Sequence, residues 1–221
     1  RLRVNDDRVF SRKHEHKSKE TAVTLLIDNS GSMQGKKIEL AMTAGYALAS
    51  TLERVGMASE VIGFTTGCGD RNYYALRSAV QEDGGFYHRF TPTVMPIYKE
   101  FDERINSVVK ARIAYMAYAQ RGMAANIDGE SLEYAAIRLM KRREPRKVIL
   151  VLSDGAPSGA QNAGAHLKKV AADLNKMGID CVAIGIQDNS VRHFYDRYVV
   201  LKDARELPGL VMNELRSILQ R

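Results

Sequence analysis

Three oxygen-bearing side chains stand at alternate positions in one loop of the 221-residue chain. Asp28, Ser30 and Ser32 follow directly after a mainly apolar run at positions 23–27. Carboxylate and hydroxyl oxygens of this kind suit a hard divalent cation. The same spacing is also typical of a helix-capping turn, in which Ser or Asp accepts hydrogen bonds from backbone N–H groups. A second feature of the sequence is therefore needed to distinguish a metal site from a cap.

That second feature is another apolar run, at 147–153, which also ends at an aspartate, Asp154. Runs that are apolar on both faces are typical of central strands in a parallel sheet. Ligands of such sheets bind beyond the carboxyl ends of the strands, so Asp28 and Asp154 are expected at one edge. The polar loop at 123–129 should join them there. The two aspartates together favour a cation site over a simple cap.

The neutral hydroxyls in this loop bear on what a bound cation would do. Because Ser30 and Ser32 do not cancel its charge, the cation still attracts a further anionic oxygen. A carboxylate of another protein can supply that oxygen by replacing one exchangeable water of Mg²⁺. The residues therefore predict a docking site that requires no turnover.

Several enzyme motifs fail on spacing. A phosphate-binding P-loop needs four residues between its first Gly and the Gly-Lys pair, whereas Gly31 and Gly35 enclose three, and Lys37 replaces the hydroxyl residue. No G-x-S-x-G elbow surrounds Ser30. One enzyme alternative stays open, in which the cation activates water near His166 or His193. It requires a general base within about 3 Å of the proton that it removes.

Apolar periodicity predicts alternating strands and helices along the chain. Strands are expected at 22–28, 59–65, 147–153, 179–186 and 197–201, and helices at 36–56, 97–119, 130–142, 160–177 and 205–220. This order predicts an α/β fold with a doubly wound, mostly parallel sheet and helices on both faces. Residues 1–20 are expected to form a polar lead-in, and 21–221 one domain with an irregular insertion at about 67–95.

Composition limits the partners. The net charge of +7 indicates an acidic partner or an acidic segment elsewhere in the polypeptide. The basic residues are scattered without interleaved aromatics, which argues against nucleic acid. No apolar run approaches the roughly 20 residues of a membrane span. Cys68 and Cys181 belong to no C-x-x-C pair, and two reduced thiols favour a cytoplasmic location.

The strand-end segments resemble the loops of von Willebrand factor A domains. IDNSGSM at 27–33 is similar to their first loop, whose metal-ion-dependent adhesion site uses D-x-S-x-S, and Ser153-Asp154-Gly155 is similar to their third loop. The resemblance implies a von Willebrand factor A or Rossmann-like fold and a divalent cation, Mg²⁺ first, with Mn²⁺ or Ca²⁺ as alternatives. The family's second loop normally supplies a Thr. Asn126 stands at that position here, and Asp128 is the other candidate ligand.

Longer segments resemble the C-terminal domain of the CobT subunit of aerobic cobaltochelatase: TLLIDNSGSM, LERVGMASEVIGFTTG, NIDGESLEYAAIRL and ILVLSDGAPS. The resemblance implies a domain that binds neither tetrapyrrole nor ATP. It implies partnership with an AAA+ ATPase subunit and with a large subunit that inserts Co²⁺ into a corrin, through a partner carboxylate on the metal. A ring oligomer of the full-length protein would suit these partners. The alternative is a similar adapter for a different AAA+ machine, in a phage or a protein-remodelling system.

Overall fold

Strands and helices alternate along the residues that the computed structural model describes, which are 20–67, 78, 89, 91–203 and 206. The strands are β1 Thr21–Asp28, β2 Ala58–Thr66, β3 Thr93–Val94, β4 Ile97–Lys99, β5 Arg146–Ser153, β6 Ile179–Ile186 and β7 Tyr198–Leu201. The helices are α1 Lys36–Arg54, α2 Ser107–Ala119, α3 Asp128–Met140 and α4 Ala163–Lys176. The last predicted helix, 205–220, lies outside the described residues apart from position 206, as do Cys68 and most of the expected insertion.

The strands form one mixed sheet in the order β3-β2-β1-β5-β6-β7, with β4 also paired to β2. The strands β1, β2, β5, β6 and β7 run parallel, whereas β3 and β4 are antiparallel to β2. The chain moves from β1 to β2 in one direction and later places β5 on the other side of β1. The strand order therefore reverses between β1 and β5, which is where open α/β sheets bind ligands.

Every residue of β1 is buried, because helices cover both faces of the sheet. Val23, Leu25 and Ile27 pack in one core with α1 and α2. Ala22 and Leu26 face the opposite core, which α3 and α4 supply. This two-sided burial explains why the first strand is almost uninterruptedly apolar. The predicted doubly wound, mostly parallel α/β architecture is confirmed.

The helix predicted over 97–119 is wrong in its first half. Residues 97–99 form strand β4, and the helix begins only at Ser107. The apolar positions at 97, 101 and 105 match a helical period, but tertiary contacts decide otherwise. Tyr98 is buried, and its hydroxyl donates to Asn29 Oδ1 at 2.8 Å, while Lys99 Nζ donates to the Ser59 carbonyl oxygen at 2.6 Å.

The start of α2 is set by its cap. Asn106 has extended backbone angles, and its Oδ1 accepts a hydrogen bond from Val109 N at 2.9 Å. We expect Asn106→Ala to lower the free energy of unfolding by about 1 kcal/mol, because an N-terminal amide loses its acceptor. Urea denaturation measures the change. Asn106→Asp keeps an acceptor oxygen and is the matched control; equal losses in both variants would contradict this role for the cap.

No helix among the described residues is both long enough and apolar enough to cross a bilayer.

The short strand β3 lies within the predicted 67–95 insertion and pairs with the end of β2. The aromatic residues of that insertion fall outside the described residues: Tyr73, Tyr74, Phe86, Tyr87 and Phe90. The lead-in at 1–20 is described only at Glu20.

Candidate metal centre

The candidate centre lies where the strand order reverses. Asp28 is the last residue of β1, and Asp154 directly follows the last residue of β5, Ser153. Since β1 and β5 are parallel neighbours in register, both chain ends leave the sheet at the same edge. The pairing of these two strands therefore brings the first and third predicted loops together at one edge of the sheet.

Asp28 is fully buried and held on both carboxylate oxygens. Its Oδ1 accepts a hydrogen bond from Ser30 N at 2.8 Å, and its Oδ2 accepts one from the Ser153 hydroxyl at 2.8 Å. Burial raises the pKa of Asp28 to about 6, against the lowering effect of these hydrogen bonds. Ser153 was not among the predicted site residues, although its place before Asp154 at the end of a buried strand is a readable signal.

The two loop serines join the first loop to the third. The hydroxyls of Ser30 and Ser32 lie 3.0 Å apart, and the Ser32 hydroxyl donates to Asp154 Oδ1 at 2.7 Å. Asp28, Ser30 and Asp154 are buried, whereas Ser32 is exposed. The cluster of carboxylate and hydroxyl oxygens therefore opens to solvent on the side of Ser32.

Two threonines at the end of β2 form hydrogen bonds with the backbone of the second loop. Thr65 Oγ1 accepts from Ala124 N at 3.0 Å, and Thr66 Oγ1 accepts from Ala125 N at 3.1 Å. The first loop reaches the same segment, because Gly31 N donates to the Ala124 carbonyl oxygen at 2.7 Å. These backbone contacts place the segment that follows, 126–128, beside the two strand-end aspartates.

The side-chain amide of Asn126 forms hydrogen bonds within the protein through both its oxygen and its nitrogen. Its Oδ1 accepts hydrogen bonds from Ser158 N at 3.1 Å and from the Ser158 hydroxyl at 2.7 Å, and its Nδ2 donates to the Ala156 carbonyl oxygen at 3.3 Å. A carbonyl oxygen has two lone pairs, and both are used here. Asn126 therefore tethers the second loop to the third and leaves no acceptor for a cation.

Asp128 is placed differently. It is the first residue of α3 and only 2% exposed, and its Oδ2 is buried without a hydrogen-bond partner. Burial, followed by the charge of Asp28, raises the pKa of Asp128 well above its usual range, and Asp154 adds to the effect. A buried oxygen that has no hydrogen-bond partner and feels the charge of two other carboxylates is the kind of atom that a divalent cation would satisfy. The donor set therefore fits a cation, with Asp128 better placed than Asn126.

The hydroxyls are essential to this interpretation. Among the residues that the structure describes, no three His, Cys, Asp or Glu side chains are grouped closely enough to hold a metal by themselves. A cation at this edge would need Ser30 and Ser32 as well as the carboxylates, together with exchangeable waters, which is a coordination that Mg²⁺ accepts.

Lys37 is a member of the cluster that sequence reasoning missed, since it entered there only as a mismatch to the P-loop. Its Nζ lies 2.5 Å from Asp154 Oδ2. The sequence feature that could have identified Lys37 is its position in the first turn of α1, the helix that follows the D-x-S-x-S loop.

The two histidines of the enzyme alternative make other contacts. His166 lies on α4, with Nε2 3.8 Å from Glu133 Oε1 on α3. His193 is exposed at the end of the 3₁₀ turn Ser190–His193, and its ring meets the ring of Phe194 edge to face at 6.4 Å. Neither of these contacts involves Asp28, Asp128 or Asp154.

A sequence model of one family, described as the cobalamin biosynthesis protein CobT VWA domain, matches residues 9–221. The chain belongs to this family. The predicted resemblance to von Willebrand factor A domains and to CobT is thereby confirmed. A curated relative of this CobT VWA domain, the uncharacterized protein YojO of Bacillus subtilis strain 168, is 24% identical over 238 residues. The match covers 97% of the chain but only 32% of YojO.

Solved structures of VWA domains share the fold. The von Willebrand factor type A protein from Catenulispora acidiphila is similar with a TM-score of 0.59 and 15% identity, over 91% of this chain and 43% of that one. Proximal thread matrix protein 1 from the mussel byssus, in a structure with a zinc-occupied MIDAS motif, has a TM-score of 0.57 and 14% identity. That match covers 90% of this chain and 46% of the byssus protein. At these identities the likeness shows the fold alone.

Proposed function

We propose that this CobT VWA domain is a metal-ion-dependent protein–protein interaction domain, coupling an AAA+ ATPase partner to cobalt insertion into a corrin in cobalamin biosynthesis. The observation that carries the proposal is the buried Oδ2 of Asp128, which has no hydrogen-bond partner and feels the charges of Asp28 and Asp154. Membership of the CobT family supports the link to cobalamin biosynthesis. Co²⁺ and the corrin are cargo of the assembly and are not ligands of this domain.

The proposed cation ligands are Asp28, Ser30, Ser32, Asp128 and Asp154. A divalent cation held there, most simply Mg²⁺, would supply an electrophilic centre that a partner carboxylate completes. Ser153 orients the Asp28 carboxylate, and Ser32 orients that of Asp154, each through a hydroxyl that donates to it. Asn126 holds the second and third loops together through its contacts with Ala156 and Ser158.

Charge and redox chemistry support the proposed setting. The chain carries a net charge of +7, which attracts an acidic partner surface at long range. Burial raises the pKa of the Cys181 thiol to about 12, so this cysteine stays protonated and unreactive. A reduced, buried thiol fits a cytoplasmic protein. The large chelatase subunit or the AAA+ ring is the proposed source of the partner carboxylate.

The alternative is the same docking chemistry on a different AAA+ machine. The curated relative YojO has no described function, and this chain spans about a third of its length. The two proposals differ in the partner and share the site. Cobalt insertion reconstituted with purified chelatase subunits would support the first; a complex with an unrelated AAA+ ring alone would support the second.

The metal dependence is tested by mixing the full-length protein with its AAA+ and large-subunit partners, with Mg²⁺ or with EDTA. We expect Asp28→Ala to weaken the complex by about 1–3 kcal/mol, because a charge-assisted contact through the cation is lost. Sedimentation or calorimetry measures the change. Asp173→Ala, on the exposed last turn of α4, is the control and should bind normally. A complex that survives both EDTA and Asp28→Ala would show that the metal plays no part.

A further inference from the structure

We propose that Lys37 is a tethered cation that neutralises Asp154 in the metal-free domain and must leave that carboxylate when a divalent ion binds. The inference rests on the proposed metal-dependent function and concerns what sets the metal affinity. Asp154 has two oxygens, and both are engaged: Oδ1 by the Ser32 hydroxyl at 2.7 Å, and Oδ2 by Lys37 Nζ at 2.5 Å. A divalent ion that approaches Oδ2 therefore meets an ammonium group already in place.

The position of Lys37 at the start of α1 gives a physical reason for its contact with Asp154. Lys37 is the second residue of α1, and a helix N-terminus carries partial positive charge that disfavours a cation nearby. The pairing with Asp154 offsets that penalty. The neighbouring Lys36 occupies the same turn but is exposed. The two lysines therefore differ in contact rather than in charge, which provides a matched control.

The ammonium of Lys37 can leave Asp154 without breaking the core. The Lys37 side chain is 33% exposed, while that of Asp154 is only 2% exposed, so the lysine closes the solvent side of a buried carboxylate. A second acidic group lies within reach of its charge, because Lys37 contributes to the lowered pKa of Asp188, after the hydrogen bonds from Ser190. Asp188 follows β6 and is half-buried. The displaced ammonium would thus move from Asp154 towards Asp188 and solvent.

This arrangement lets one lysine serve two states of the site. In the metal-free domain it pairs with Asp154, one of three buried aspartates at this edge of the sheet together with Asp28 and Asp128. Once a cation is bound, the same positive charge repels it at short range. Lys37 would therefore keep the affinity moderate, so that the cation is held firmly only when a partner carboxylate adds its charge.

The test is titration of the 221-residue chain with Mn²⁺, followed by calorimetry and by the electron paramagnetic resonance signal of free Mn²⁺. We expect Lys37→Gln to tighten Mn²⁺ binding about tenfold, which corresponds to about 1.4 kcal/mol. Lys37→Arg, which keeps the charge, should stay within about twofold of wild type. Lys36→Gln should change the affinity by less than about threefold, because an exposed charge is screened.

A second readout concerns the metal-free state. The melting temperature of metal-free Lys37→Gln should be lower than that of wild type, and its increase on adding Mn²⁺ should be larger. If wild type binds Mn²⁺ but Lys37→Gln binds equally or more weakly, Lys37 only positions Asp154, and this inference alone fails. If wild type and every variant, Lys37→Gln included, bind no Mn²⁺, the proposed metal-dependent function fails with it.

Discussion

Replacing Asp128 with Asn should weaken Mg²⁺ or Mn²⁺ binding about 100-fold, or about 2.7 kcal/mol, while raising the melting temperature of the metal-free chain. The two effects have one cause. The Asp128 carboxylate is buried, has no hydrogen-bond partner at Oδ2 and feels the charge of Asp28. Replacing this carboxylate with an amide relieves that repulsion, but it also removes one of the proposed anionic ligands. If Asp128 had only a structural role, Asp128→Asn would lower both the metal affinity and the melting temperature.

Asn126→Ala is the matched comparison, since the two positions were the alternative second-loop ligands. Its loss leaves Ser158 N, the Ser158 hydroxyl and the Ala156 carbonyl oxygen without their partner, and should destabilise the metal-free chain by about 1–3 kcal/mol. Calorimetric titration and thermal melting separate the two variants. If Asn126→Ala abolished metal binding and Asp128→Asn preserved it, the proposed ligand set would be wrong.

Arg138→Met should lower the free energy of unfolding by about 3–5 kcal/mol, because it leaves Glu60 as an uncompensated charge inside the protein. Glu60 lies on β2 with no exposed surface. Its Oε1 accepts from the Thr24 hydroxyl at 2.8 Å, and its Oε2 accepts from Arg138 Nε at 2.9 Å. Arg138 Nη2 also reaches Glu100 Oε2 at 2.6 Å, so one guanidinium holds the strand and the adjoining loop.

Urea denaturation at pH 7 measures this loss. Arg112→Met is the control, since its ion pair with Glu103 lies at the surface, with side chains 42% and 22% exposed, and should contribute only about 0–1 kcal/mol. Burial raises the pKa of Glu60 above its unfolded value, so the protonated form is favoured on folding and the penalty grows as pH rises through the folded pKa. The difference between Arg138→Met and wild type should therefore shrink as pH falls. A pH-independent difference would contradict the buried charge as its cause.

The alternation of apolar runs and helical periods was enough to predict the parallel strands of the sheet and the helices α1, α3 and α4 to within a few residues. Two-sided burial leaves few choices for strands such as β1 and β5, and parallel strands bring their carboxyl ends to one edge. That is why Asp28, Ser30, Ser32 and Asp154 could be named together as candidates. The spacing of Asp28, Ser30 and Ser32 is a local pattern, and the parallel sheet brings Asp154 to the same edge.

The helix predicted over 97–119 shows where local periodicity is insufficient. A segment with apolar residues every fourth position satisfies a helix pattern, yet β2 has an edge that needs a partner strand. Residues 97–99 supply it, and Tyr98 and Lys99 find buried acceptors there. The contact is long-range in sequence, so the segment itself carries no sign of it.

The chain by itself determined the fold class and the spacing of the D-x-S-x-S loop, because both follow from patterns within a few neighbouring residues. Only the tertiary structure shows how the surroundings of Asn126 differ from those of Asp128. Asn126 lies in the loop and Asp128 at the first position of α3, two residues later, and only the contacts of Ser158 show that the amide oxygen of Asn126 already accepts two hydrogen bonds. It alone brought Lys37 to Asp154, since 117 positions of sequence separate the ammonium from the carboxylate that it neutralises.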